Sequence, residues 1–148
     1  MIKNPKIAVF GSGSWATAIV KMLCENVEQV GWYIRNENTI EYIKENEHNP
    51  HYLSSAELSL KKLFLSSNID DLISYADILI FAIPSAFLKT ELDKITADFS
   101  SKIIISAIKG IVPESGLIVG EHFHEKHNIP FENIGVITGP CHAEEVAM

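Results

Sequence analysis

Short apolar runs alternate along this chain with segments whose apolar residues recur at helical spacing. Six runs of mostly aliphatic and aromatic residues predict strands, at positions 6–10, 30–34, 63–65, 77–83, 102–107 and 134–138. Five segments predict helices, at positions 14–24, 39–45, 69–75 with Asn68 as N-cap, 85–96 and 116–127.

Strands that are apolar almost throughout indicate burial on both faces, as in a parallel sheet covered by helices. Their alternation with helices indicates a series of βαβ units. The sequence therefore predicts one domain over residues 1–148. We expect a doubly wound α/β fold of Rossmann type, with a mostly parallel sheet and helices on both faces.

Composition and charge exclude several classes of function and leave the predicted fold unchanged. The chain has 148 residues, of which 47% are hydrophobic and 21% charged, and this excludes disorder as its main state. A net charge of −7 argues against a general nucleic-acid binder. No apolar run approaches the ~20 residues of a membrane span, and the N-terminal apolar stretch is short for a signal peptide. We therefore expect a cytoplasmic protein.

The first candidate site is a glycine-rich loop that follows the first predicted strand and opens the first helix. It reads Gly11-Ser12-Gly13-Ser14-Trp15-Ala16. Gly11 permits a tight turn, Gly13 lets a pyrophosphate approach the backbone, and Ala16 still allows close helix packing. The loop predicts dinucleotide binding, and the alternative is a tight turn that binds nothing. Trp15 lies in the loop, where its ring could cover a cofactor.

The end of the second strand predicts which dinucleotide binds. An acidic residue there holds the ribose 2′-hydroxyl of NAD, whereas arginine accommodates the 2′-phosphate of NADP. Arg35 stands at this place and favours NADP. NAD remains the alternative cofactor if Glu37, rather than Arg35, faces the ribose.

Two further clusters follow the fifth and sixth strands. Lys109, after the fifth, could hold a phosphate or polarise a carbonyl, and its alternative is a surface lysine. Gly139 begins a segment of small residues that contains Cys141 and His142. A nucleophilic Cys141 is disfavoured because no third, orienting group is evident. No metal site is expected, since His122, His124 and His127 lack ligand spacing and are interpreted as a solvated helix face.

These motifs together resemble the N-terminal domain of bacterial NAD(P)-dependent glycerol-3-phosphate dehydrogenase. The matching pieces, in order, are GSGSWATAI (11–19), Trp32 and Arg35 in VGWYIR, NPHYL (49–53), PSAFL (84–88), AIKGI (107–111) and GPCHAEEVA (139–147). The family transfers a hydride between NAD(P)H and dihydroxyacetone phosphate, giving sn-glycerol 3-phosphate for glycerophospholipid synthesis.

The resemblance implies roles for individual residues. It implies cofactor contacts at positions that include Gly11, Gly13, Ser14, Trp15, Ala16, Arg35, Tyr52, Phe87, Lys109 and Ala143. It implies substrate contacts at Lys109, Gly139 and Cys141. Two positions depart from the family pattern. Ala16 stands in place of the usual glycine. Cys141 stands in place of the usual Ser or Thr, and its thiol is a weaker hydrogen-bond donor than a hydroxyl.

Members of that family carry a second, helical domain with the lysine thought to transfer the proton. The sequence therefore predicts a fragment that binds NADPH or NADH but is inactive alone. It also predicts self-association through apolar surface exposed around residues 139–148. The alternatives are the cofactor domain of another two-domain dehydrogenase and a non-catalytic NAD(P)-sensing module.

Overall fold

A computed structural model of the protein describes residues 3–139 and 142–148. Its centre is a six-stranded parallel sheet in the order β3-β2-β1-β4-β5-β6. The strands are β1 (Ile7–Phe10), β2 (Val30–Tyr33), β3 (Leu63–Ser66), β4 (Ile78–Phe81), β5 (Ile103–Ser106) and β6 (Ile134–Val136). This order is that of doubly wound dinucleotide-binding sheets, so the predicted fold is confirmed.

Within the described ranges, six helices connect the strands or follow them. They are α1 (Ser14–Asn26), α2 (Glu37–Asn46), α3 (Ile69–Tyr75), α4 (Ser85–Leu92), α5 (Val119–His127) and α6 (Ala143–Ala147). Two 3₁₀ turns add Leu60–Lys62 and Phe131–Asn133. The Asn68 side chain accepts the N–H of Asp70, which confirms the predicted cap of α3.

Two helices are shorter than the apolar spacing predicts, and each has a local cause. Helix α4 ends at Leu92 rather than at residue 96, because the Asp70 carboxylate accepts the backbone N–H groups of Thr96 and Ala97. Helix α5 begins at Val119 rather than at residue 116. The chain before it forms a turn in which Gly116 has a φ of 67° and the N–H of Val112 donates to the Leu117 carbonyl.

The sheet has a separate apolar core on each face because successive strand residues point to opposite sides. Val9 and Trp32 pack under α1 and α2, whereas Ala8, Phe10 and Phe81 pack against α3, α4 and α5. Phe10 and Phe81 stack with their ring centroids 4.7 Å apart. Burying a side chain of this size contributes about 1.5–3 kcal/mol, so these two layers hold the strand ends in place.

Helix α6 was not predicted, and it lies on α1. Ala143 and Ala147 are buried with Ala18 in one cluster, where small side chains allow the two helices to approach closely. The expectation of apolar surface exposed around residues 139–148 is therefore wrong for these two alanines, although Val146 and Met148 are exposed.

The expectation of a solvated histidine face on α5 is also wrong for one residue. His122 is only 3% exposed, and its Nδ1 lies 3.2 Å from the Ser115 hydroxyl. Its ring lies against His127, which in turn contacts Phe99. The side of α5 that carries His122 packs against the loop before the helix, and periodicity alone does not identify that contact. Within the described residues, no helix has both the length and the apolarity needed to cross a bilayer.

Candidate functional site

The loop after β1 passes close to the end of β4, at the point where the strand order reverses. Gly11 has a φ of 122°, and a Cβ at this position would lie 2.4 Å from the Ala82 carbonyl oxygen. The Gly11 carbonyl accepts a hydrogen bond of 2.7 Å from the indole Nε1 of the buried Trp32. Only glycine fits this turn, so its predicted conformational role is confirmed.

The same loop ends at the N-terminus of α1. Gly13 is the N-cap residue, and no acidic side chain lies in the first turn of the helix. A Cβ on Gly13 would meet no atom within 4 Å, so the backbone there faces open space. Free N–H groups and the positive end of the helix dipole can bind a phosphate group. Ala16, in the first turn of α1, is fully buried on the side of the helix that packs on the sheet, where its small side chain allows close packing.

A buried asparagine that sequence reasoning missed connects this loop to a distant segment. The Asn49 side-chain amide donates to the Ser12 carbonyl at 3.1 Å and to the Thr17 hydroxyl at 2.9 Å. Its side-chain oxygen accepts the backbone N–H groups of His51 and Tyr52. Asn49 therefore holds the glycine loop and the segment that carries Tyr52 in one arrangement.

These elements enclose a cleft of about 230 Å³, here called the glycine-loop cleft. Its lining consists of Gly11, Ser12, Gly13, Tyr33, Arg35, Tyr52, Ala82, Ile83, Pro84, Phe87 and Glu91. Tyr52 and Phe87 are 46% and 56% exposed, so both rings are accessible to a ligand. The structure thus brings together Gly11, Gly13, Arg35, Tyr52 and Phe87, although they are widely separated in sequence.

Arg35 and Glu37 differ in position as well as in charge. Arg35 lines the glycine-loop cleft. Glu37 is not part of the lining, and its carboxylate accepts a hydrogen bond of 3.0 Å from the Ser67 hydroxyl. Of the two candidates for contact with the ribose, Arg35 is therefore the one that faces the cleft.

Glu91 is a second residue that sequence reasoning missed. Its carboxylate accepts a hydrogen bond of 2.7 Å from the Tyr33 hydroxyl and two from the Lys94 ammonium, and it lies 3.5 Å from Arg35 Nη1. Burial alone would raise the pKa of this carboxyl, but the hydrogen bonds from Lys94 and Tyr33 and the charges of Lys94 and Arg35 together lower it. The available signal in the sequence was an acidic residue between Leu88 and Leu92, two apolar residues that α4 buries.

Tyr33 is perturbed by the same contact. Burial, followed by the hydrogen bond to Glu91, raises the pKa of the Tyr33 phenol far above its ordinary value. The phenol therefore remains protonated and donates to Glu91 across the physiological pH range.

The ends of β5 and β6 form a more open part of the same edge. Lys109 is exposed, and no described residue forms a hydrogen bond or an ion pair with its ammonium group. The neighbouring Gly110 has a φ of 92°, and Gly139, after β6, has a φ of 110°. Cys141, the remaining candidate for substrate contact, lies outside the described residues.

Trp15, in the first turn of α1, and Ala143 do not line the glycine-loop cleft. The Trp15 ring packs between the core under α1 and the alanine cluster of α6. Ala143 is 7% exposed within that cluster. Ser14, the first residue of α1, is half-buried at the loop. Cofactor contacts of these three residues stay predictions.

Comparisons with known proteins agree with this arrangement. Residues 6–148 match the family model described as the N-terminus of NAD-dependent glycerol-3-phosphate dehydrogenase. Curated glycerol-3-phosphate dehydrogenases [NAD(P)+] from Staphylococcus saprophyticus and Tropheryma whipplei are each 36% identical, over 97% and 96% of this chain. The solved glycerol-3-phosphate dehydrogenase of Saccharomyces cerevisiae has 27% identity and a TM-score of 0.82 over 98% of the chain.

The chain is shorter than each of these relatives. It covers 43% and 41% of the two curated proteins and 44% of the yeast structure. The chain thus spans less than half the length of the proteins that it matches.

Proposed function

The chain belongs to the family of NAD-dependent glycerol-3-phosphate dehydrogenase N-termini, and we propose that it is the dinucleotide-binding part of such an enzyme. The proposed reaction is hydride transfer between NAD(P)H and dihydroxyacetone phosphate, which gives sn-glycerol 3-phosphate. The observation that carries the proposal is the glycine-loop cleft, in which a helix N-terminus, an arginine and two accessible aromatic rings meet where the strand order reverses.

The fit of a dinucleotide rests on the chemistry of this lining. The backbone at Gly13 and the first turn of α1 would bind the pyrophosphate, because that helix end has no acidic side chain that would compete. Arg35 would lie beside the adenosine ribose, where it could bind a 2′-phosphate. Tyr52 and Phe87 would flank the cofactor through their exposed rings. A bound nicotinamide would supply the hydride from its C4 atom.

The substrate would bind at the ends of β5 and β6. There the exposed Lys109 would bind the three-carbon phosphate or polarise its carbonyl, assisted by Gly139 and Cys141. The proton donor and most polar contacts to the substrate would come from a further helical domain, so residues 1–148 alone would bind a dinucleotide without turnover.

Dinucleotide binding is tested by calorimetric titration of the protein with NADH and NADPH, beside Gly13→Asp. An aspartate at this N-cap position would support the helix, but it would place a carboxylate where the phosphates bind. We expect binding of both dinucleotides to weaken by about 100-fold or more, through loss of the charge-assisted contacts. Gly13→Asn is the control, because it adds nearly the same volume without the charge and should weaken binding less.

Two outcomes would refute this part of the proposal. One is a folded protein that binds neither dinucleotide. The other is a Gly13→Asp variant that binds both as tightly as the wild type does.

Substrate contact is tested by Lys109→Ala in the full-length protein that carries this chain. With dihydroxyacetone phosphate as substrate, we expect kcat/KM to fall by about 100-fold or more, the usual loss for one group that stabilises developing charge. Lys61→Ala, which removes an exposed lysine outside the glycine-loop cleft, is the control and should leave kcat/KM unchanged. Unchanged kcat/KM in Lys109→Ala would exclude the proposed role.

A further inference from the structure

A buried carboxylate in the lining of a cleft proposed to bind an anionic cofactor is unexpected. The Glu91 side chain is only 5% exposed, yet it lines the glycine-loop cleft beside Arg35. The charge of a carboxylate at this place opposes the attraction that an arginine offers to a phosphate group. What holds Glu91 there therefore matters for cofactor choice.

Glu91 is held in place mainly by Tyr33 and Lys94 rather than by Arg35. The Tyr33 hydroxyl donates to one carboxylate oxygen at 2.7 Å, and the Lys94 ammonium donates to both oxygens, at 2.8 and 2.9 Å. These hydrogen bonds, together with the charges of Lys94 and Arg35, lower the pKa of this carboxyl despite its burial, so Glu91 is ionised at neutral pH. Its negative charge is thus a permanent part of the cleft.

Arg35, by contrast, is loosely attached. Its side chain is 70% exposed, and its Nη1 lies 3.5 Å from the carboxylate, farther than Lys94 Nζ and the Tyr33 hydroxyl oxygen. A guanidinium so exposed can turn toward a ligand, but it remains within the attraction of Glu91. A 2′-phosphate would compete with Glu91 for this cation and would also be repelled by the carboxylate.

We propose that Glu91 is a positioning residue for cofactor choice, which draws Arg35 toward the wall of the cleft and weakens NADPH binding relative to NADH. This inference rests on the proposed function of the cleft. The 2′-phosphate is the group that distinguishes the two cofactors, so Glu91 acts on NADPH and leaves NADH nearly unaffected. Arg35 favours NADPH and Glu91 opposes it, and the measured preference is their balance.

The first test is calorimetric titration of NADH and NADPH with Glu91→Gln. Glutamine keeps the size and retains an oxygen that can accept from Tyr33, but it removes the charge. We expect the ratio of the NADPH to the NADH association constant to rise about fivefold, equivalent to ~1 kcal/mol. Asp93→Asn is the matched control: it removes the same charge two residues away, where Asp93 pairs with Lys89 outside the cleft. It should leave the ratio unchanged.

A ratio in Glu91→Gln within twofold of the wild-type ratio would overturn the proposal. A merely structural role of Glu91 would change both association constants in parallel and would not move their ratio. The ratio therefore separates positioning from a general loss of stability.

The second test uses Arg35→Gln, which is expected to fold because the side chain is mostly exposed. With Glu91 left in place, we expect NADPH to bind at least about threefold more weakly than NADH, through repulsion of the 2′-phosphate. Equal affinities in this variant would overturn the proposal, even if Glu91→Gln did not fold.

The failure of the inference and the failure of the proposed function are distinguishable. A folded wild-type protein that binds neither dinucleotide would overturn both. Binding of both with an unchanged ratio in Glu91→Gln would overturn only the role of Glu91.

Discussion

The two halves of the sheet's carboxyl edge are built differently. At the ends of β1, β2 and β4, the glycine-loop cleft is fixed by buried contacts: Asn49 holds the loop, Trp32 donates to Gly11, and Tyr33 donates to Glu91. At the ends of β5 and β6, the exposed Lys109 has no polar partner among residues 3–139 and 142–148.

Aliphatic side chains are exposed at the open half, whereas the large exposed apolar groups of the glycine-loop cleft are the rings of Tyr52 and Phe87. Ile111 and Ile118 are 51% and 56% exposed, and Val136 at the end of β6 is 57% exposed. The difference teaches that the described residues complete the predicted cofactor half with their own contacts. Among those residues, the predicted substrate half stays accessible, which agrees with the proposal that another domain contributes to it. Self-association through exposed apolar surface stays a prediction.

The largest expected contrast between the halves is at two glycines with positive φ. Gly11→Ala would force a Cβ to within 2.4 Å of the Ala82 carbonyl, and we expect a loss of about 3 kcal/mol or more from combined strain and overpacking. Gly110→Ala has the same kind of backbone but open space around it, so we expect about 1 kcal/mol. Urea unfolding followed by circular dichroism measures both. Equal losses would show that the halves are equally packed.

The next effect is at Asn49. Asn49→Ala would leave the Ser12 carbonyl and the Thr17 hydroxyl without the buried donor, and we expect a loss of about 2–3 kcal/mol in the free energy of unfolding. Dinucleotide binding should weaken as well, because Tyr52 and the glycine loop would no longer be held together. Exposed His51 offers the control, since His51→Ala should cost less than ~0.5 kcal/mol. A small loss of unfolding free energy in Asn49→Ala would mean that the glycine loop keeps its conformation without the Asn49 hydrogen bonds.

Acidification should destabilise the protein in two different pH ranges, one set by His122 and His127 and the other by Glu91. Burial, and for His122 also the nearby Lys126, lowers the pKa of His122 and His127 from the usual 6.5. As the pH falls below 6.5, the unfolded chain takes up protons that the folded chain does not, so stability is lost from there downward. The pKa of Glu91 is below its usual 4.5, so its contribution is lost only below about pH 4.5.

Thermal unfolding between about pH 7.5 and 3 resolves the two ranges. The double variant His122→Asn, His127→Asn should remove the loss at the higher pH and keep that at the lower. Glu91→Gln should reduce the loss at the lower pH, to which Asp70 and Asp98 also contribute through lowered pKa values, and keep that at the higher. A pH profile that neither variant alters would assign the loss to other groups.

The smallest effect is expected at Lys109. Because its ammonium is exposed and unbonded within the described part of the chain, Lys109→Ala should change the free energy of unfolding by less than ~0.5 kcal/mol. The same urea measurement checks this, with Lys61→Ala as the comparison. A loss above 1 kcal/mol would mean that Lys109 is structural and that the open half is better packed than its exposure indicates.

The sequence by itself determined the fold and the glycine loop. Apolar periodicity and turn residues act between near neighbours in the chain, so the six strands, the start of α1 and the Asn68 cap were predicted within a few residues. The meeting of the strand ends followed from the parallel sheet, because all carboxyl ends of such a sheet lie at one edge.

Only the tertiary structure decided which groups meet across long separations. Asn49 contacts the loop 37 residues before it, and Glu91 accepts from Tyr33 across 58 residues. The local pattern indicates at most that Glu91 stands on the apolar side of α4, and it does not identify the partner of either residue. Burying a polar group costs free energy unless the group forms hydrogen bonds, and only the tertiary structure brings the hydrogen-bonding partner into reach.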